Sequence, residues 1–158
     1  MERNRRYPFT MQYNTLLARY KGSEGKLLSN GFEWFLTVQP TPISDTYRLK
    51  ITYQQGYQPN VFVVSPSPLH KPEGASILPH TYNTKKQHIC IYNKNWHEWN
   101  PTMLMANTVV HWAILWLCFY ENWAYTGKWE GGGHGDWDVI PNFKGQKELE
   151  VWLRNSVK

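Results

Sequence analysis

A chain of 158 residues is long enough for one substantial core, and 41% hydrophobic residues is ordinary for a globular protein. The net charge of +5 gathers partly in Arg3, Arg5 and Arg6 and in Lys85-Lys86. No recognised nucleic-acid module accompanies it, so a solvated surface or an acidic protein partner is favoured over nucleic acid. Two cysteines in unlike settings exclude a disulfide framework. The longest apolar run, Ala113 to Tyr120, is too short to span a bilayer, and Tyr7 to Asn14 is too polar for a signal-peptide core. The expectation is a soluble protein of a reducing cytoplasm, with no membrane association and its thiols free.

Thr10 reads as an N-cap, followed by Tyr13, Leu16, Leu17 and Tyr20 at helical spacing, with Gly22 and Gly25 as the stop. Three strands follow. Phe32, Trp34, Leu36 and Val38 alternate with polar residues, and so do Tyr47, Leu49, Ile51 and Tyr53. Val61 to Val64 is a short continuous apolar run. Pro40-Thr-Pro42 and Gln54 to Pro59 carry turn chemistry, so the strands are expected to form an antiparallel meander. A long irregular connection spans 65–79. Asn100 then reads as an N-cap with Pro101 at the first helical position. Thr102 to Tyr125 reads as one helix or two, apolar on nearly all sides and so buried, and stopped by Thr126-Gly127. Gly131 to Gly133 reads as a flexible loop able to seat a partner's tail, and Lys147 to Asn155 as a short terminal helix. Strands segregated from helices give an α+β fold.

The chemistry gathers around Cys90, in His80-Thr-Tyr82-Asn83, then Ile89-Cys90-Ile91-Tyr92, then Trp99-Asn100-Pro101. Strand alternation sets Cys90 opposite Ile89 and Ile91; with the isoleucines inward, the thiol points out. His88 falls on the same face as Cys90 and reads as a solvent-exposed strand histidine, with a role as base or thiolate stabiliser as the alternative. Trp99, Trp116 and Trp123 read as packing residues, and Cys118, inside an apolar helix, as an inert buried thiol.

These pieces resemble the active-site segment of ubiquitin-conjugating enzymes. That family places a histidine ten residues before its nucleophilic cysteine, as His80 stands to Cys90, and follows with Trp-Ser-Pro opening a helix, where this chain has Trp99-Asn100-Pro101. The closing run Trp116-Leu-Cys-Phe-Tyr120-Glu121-Asn-Trp123, then Thr126-Gly127-Lys-Trp129-Glu-Gly131-Gly-Gly, narrows the resemblance. It is similar to the stand-alone conjugating protein of short type II CBASS antiphage operons. The resemblance implies a single ubiquitin-conjugating-like domain over 1–158, with a basic tail at 1–8, a core at about 9–127, and a Gly-rich loop and C-terminal segment at 128–158. The family fold usually has a fourth strand before the active-site loop; Ser76 to Leu78 or the segment around Cys90 is the candidate.

The resemblance further implies a thioester between Cys90 and the C-terminus of a partner cyclic-oligonucleotide synthase, a cGAS/DncV-like nucleotidyltransferase. Transfer to an amine or priming of the synthase follows, with no cofactor or metal. Any ATP-driven activation would come from elsewhere. His80 is implied to hold the loop through hydrogen bonds rather than act as a general base. Where the wider family has asparagine at its oxyanion position, this chain has Tyr82, with Asn83 beside it. A phenol donates as an amide does, so Tyr82, Asn83 or a backbone N–H near Cys90 is the candidate donor. A thiol near its reference pKa of about 8.5 serves as both nucleophile and leaving group.

Three other readings compete. One is a non-catalytic binding module of the same fold that regulates the synthase, against which the presence of Cys90 counts. Another is a zinc site from His80, His88, Cys90 and His97, whose spacing fits no standard ligand pattern. The last is a cysteine hydrolase, which lacks a separate Asn or Asp to orient a histidine.

Overall fold

The computed structural model describes residues 5–92 and 98–131. The terminal helix expected at Lys147 to Asn155, most of the glycine run, and His97 lie outside them. Helix α1 spans Phe9–Arg19. Strands β1 (Glu24–Leu28), β2 (Gly31–Val38), β3 (Tyr47–Gln54) and β4 (Asn60–Ser65) follow, then β5 (Thr81–Asn83) and β6 (His88–Ile89). A 3₁₀ turn at Met105–Asn107 leads into α2, Val109–Thr126. The strands form one antiparallel sheet in the order β1-β2-β3-β4-β6-β5, so the α+β expectation holds.

The meander forms where alternation predicts it. Phe32, Trp34, Leu36 and Val38 on β2 and Tyr47, Leu49, Ile51 and Tyr53 on β3 are all buried. The β4 run alternates as well, with Val61 and Val63 buried and Val64 exposed, although the sequence there is continuously apolar. Strand β1 is an addition to the three expected. It hairpins onto β2 through Ser29-Asn30, and Leu28 pairs with Gly31. Gly31 is required by close approach: a Cβ there would stand 1.9 Å from the Tyr53 carbonyl oxygen. Gly25, expected to end α1, instead lies within β1, where a Cβ would crowd the Glu33 carbonyl and the Tyr13 ring. Ser76 to Leu78 forms no strand; the segment leading to Cys90 supplies β6.

Both helix starts differ from expectation, for the same reason. The N-cap of α1 is Pro8 rather than Thr10, and the Phe9 N–H donates to the Gln55 side-chain oxygen 3.1 Å away. That acceptor is 46 residues distant and invisible to local reading. Asn100-Pro101 opens a turn, not a helix: the Asn100 side chain accepts from the Thr102 N–H at 2.9 Å. Gln12, fully buried on α1, then accepts from the Met105 N–H at 2.9 Å and donates to the Met103 carbonyl at 2.8 Å. A buried amide from α1 therefore satisfies backbone groups that a helix would otherwise have satisfied. Helix α2 begins only at Val109 and ends as expected, at Gly127 with φ of 73°.

The interior face of α2 carries Val110, Ala113, Ile114, Trp116, Leu117 and Tyr120 into the core with the sheet. On the same helix His111 is held neutral, its pKa lowered to about 4 by burial and then by Arg19. The unfolded imidazole, at 6.5, takes up a proton that the folded one resists. Stability from this group is therefore full above pH 6.5 and declines as pH falls toward 4, by up to about 3 kcal/mol. Thermal melts between pH 7 and 4 should show a shallower decline for His111→Gln than for the native chain; parallel curves would contradict this.

Candidate active site

The site is built on the short β5–β6 hairpin and the residues just past it. The intervening turn is fixed by side chains. Asn83 Oδ1 accepts from the Lys86 N–H at 2.8 Å, and Gln87 takes a left-handed φ of 51°. Gln87 is 2% exposed, accepts from the Leu69 N–H at 2.6 Å, and donates to the Val63 and Pro66 carbonyls at 2.8 and 2.9 Å. One buried amide thus binds the hairpin to β4 and to the long loop. Nothing local in the sequence distinguishes the buried Gln87 from a surface glutamine.

Regular strand ends at Ile89, and Cys90 lies one residue beyond. The outward thiol expected from alternation is not what the structure has: Cys90 is 4% exposed, with Ile89 and Ile91 buried on either side of it. Alternation ceases to govern once the ladder stops. The Cys90 N–H donates to the His80 carbonyl at 2.9 Å, and its thiol donates to the Tyr92 carbonyl at 3.6 Å. Beside that thiol stands Tyr82, itself 46% exposed, whose hydroxyl donates to the same Tyr92 carbonyl at 3.3 Å. Desolvation first, then a hydrogen bond and charge interaction with Cys90, hold the Tyr82 phenol well above its ordinary pKa. It stays a protonated donor at neutral pH.

His80 contributes through its backbone and its ring. It sits at a left-handed φ of 48°, and its carbonyl accepts both the Cys90 N–H and the Trp116 indole N–H, the latter at 3.0 Å. Its ring leans on Trp129 with centroids 4.9 Å apart. Trp116, expected only to pack, therefore also ties α2 to the Cys90 segment. Trp99 and Trp123 are buried as expected, Trp99 edge-on to Tyr53. Asn83 lies in the hairpin turn, its side chain engaged with Lys86. His88 is not a solvated strand residue: its ring stacks on Phe62, centroids 4.6 Å apart, and meets Tyr82 at 4.8 Å. Cys118 is free and only half-buried, not fully buried as expected; desolvation followed by Glu121 nonetheless pushes its thiol up to about 12, which holds it protonated at neutral pH.

Among the described residues no three His, Cys, Asp or Glu side chains converge as a metal site; His97, which the zinc reading needs, lies outside them. None of the described helices is long and apolar enough to cross a membrane. Among the described residues, the site sets the Cys90 thiol beside the protonated Tyr82 phenol, on a hairpin secured to β4 and α2.

The profile of the family described as type II CBASS E2 protein matches residues 12–136. The chain belongs to that family. The matched span takes in the β5–β6 hairpin, Cys90, and all of α2. No curated protein matches the chain. Membership gives this CBASS E2 protein its setting, antiphage defence, and a conjugating-type family name.

Proposed function

We propose that this CBASS E2 protein has the ubiquitin-conjugating fold and acts as a cysteine-dependent acyl transferase. Cys90 is the carrier and the C-terminus of the operon's cGAS/DncV-like nucleotidyltransferase is the cargo. The thiolate attacks the activated C-terminal carbonyl. A C–S bond forms, the activating group departs with its electron pair, and the thiol proton passes to solvent. An acceptor amine then attacks the thioester, the C–N bond forms, and the C–S bond breaks to return the thiolate; alternatively, the charged state itself primes the synthase. The observation that carries this reading is the Tyr82 hydroxyl beside the Cys90 thiol, in a chain whose family bears the conjugating name. As an oxyanion donor, such a phenol is worth on the order of 3 kcal/mol in the transition state. The roles of His80 and Asn83 are to hold the loop and the hairpin turn around the thiol.

Co-expression with the synthase and its neighbouring gene products tests the reading, by non-reducing gel and intact mass. The expected product is an E2–synthase adduct lost on adding dithiothreitol, and absent when the last residues of the synthase are deleted. Failure to form an adduct, with antiphage protection undiminished in Cys90→Ala, would instead establish the binding-module reading.

A further inference from the structure

The outer face of the sheet carries a row that runs across all six strands to the site. In register order it reads Glu24, Phe35, Lys50, Phe62, His88, Asn83. Along it Lys50 Nζ lies 5.0 Å over Phe62 and Phe62 stacks on His88, which also meets the ring of Tyr82, the neighbour of Asn83 at the irregularity in β5. Tyr82 thus ends this run of ring contacts, and its hydroxyl shares the Tyr92 carbonyl with the Cys90 thiol. It is also the exposed partner of a buried cysteine, 46% against 4%. A side chain with an open outer side, braced by the His88 ring, can swing away without disturbing the core.

We propose that His88 is a positioning residue: held against Phe62, it braces Tyr82 over Cys90, and the incoming acyl group reaches the thiol by displacing Tyr82. Its purpose rests on the thioester reading, but its geometry and its test do not. A closed resting site keeps the thiol from adventitious oxidation and alkylation.

Iodoacetamide alkylation of the full chain, read separately at Cys90 and Cys118 by peptide mass, tests this without any partner. The measured quantity is the ratio of the Cys90 rate in each variant to that in the native chain; labelling at Cys118, slow in the folded protein because its thiol is held protonated, reports any general loosening of the fold. Tyr82→Ala is expected to raise the ratio the most. His88→Ala should raise it on the order of five-fold, the population change expected from losing one aromatic contact. His88→Phe, which keeps a ring between Phe62 and Tyr82, should restore the native rate, and Tyr82→Phe should stay near it. An unchanged ratio in Tyr82→Ala, or a His88→Phe ratio as high as that of His88→Ala, would overturn the proposal. Neither outcome bears on whether Cys90 carries an acyl group, which the co-expression experiment decides separately.

Discussion

Replacing Trp116 by alanine is expected to destabilise the protein by about 3–5 kcal/mol, the usual cost of emptying a fully buried tryptophan site. Trp116 has no exposed surface, lies parallel to the Tyr120 ring at 5.6 Å, and contacts Trp129 at 5.8 Å. Its loss also removes the indole N–H from the His80 carbonyl, so α2 no longer holds the backbone that receives the Cys90 N–H. Trp116→Phe keeps most of the ring volume and loses only the donor. The carbonyl retains the Cys90 N–H, so the cost should fall to roughly 1 kcal/mol beyond repacking. Urea unfolding, with unchanged slope, reads both values. A midpoint for Trp116→Ala near that of the native chain would contradict the packing account.

The central strands were legible because their signal is local. Alternation in Phe32 to Val38 and in Tyr47 to Tyr53 assigns a buried face without knowledge of any neighbour, and both strands are found as read. Helix α2 was legible as an apolar stretch, and its end at Gly127 because a left-handed stop favours glycine. The helix starts were not, because remote amides decide them: Gln55 caps α1, and Gln12 satisfies the Met103 and Met105 backbone groups. The first strand escaped because all five of its residues are exposed, leaving no alternation to see. At the site, the ten-residue step from His80 to Cys90 was legible as a family pattern. Its physical content was not: the step lets the His80 carbonyl accept the Cys90 N–H across the hairpin. The direction of the thiol is illegible for a related reason: alternation holds only within the ladder, which ends at Ile89, one residue before Cys90. Tyr82 was singled out from its place in the pattern, whereas the stack behind it depends on cross-strand register that one strand alone does not contain.

Cys90→Ser is expected to have the largest functional effect, converting a transient adduct into a lasting one. Serine occupies the thiol's place with little change of volume, and its hydroxyl can donate to the same Tyr92 carbonyl. An oxyester lacks the thiolate leaving group, so attack by amines or by dithiothreitol is slow. On the proposed mechanism, Cys90→Ala removes the nucleophile altogether. Cys118 cannot replace it, because its thiol, pushed up to about 12, is almost wholly protonated at neutral pH.

The most direct test is the intact mass of the E2 protein recovered with its synthase from the native, Cys90→Ser and Cys90→Ala chains, each with and without dithiothreitol. The account predicts an adduct that dithiothreitol removes in the native chain, a dithiothreitol-resistant adduct in Cys90→Ser that mild base cleaves, and none in Cys90→Ala. An adduct of equal mass and equal stability in all three chains would contradict it.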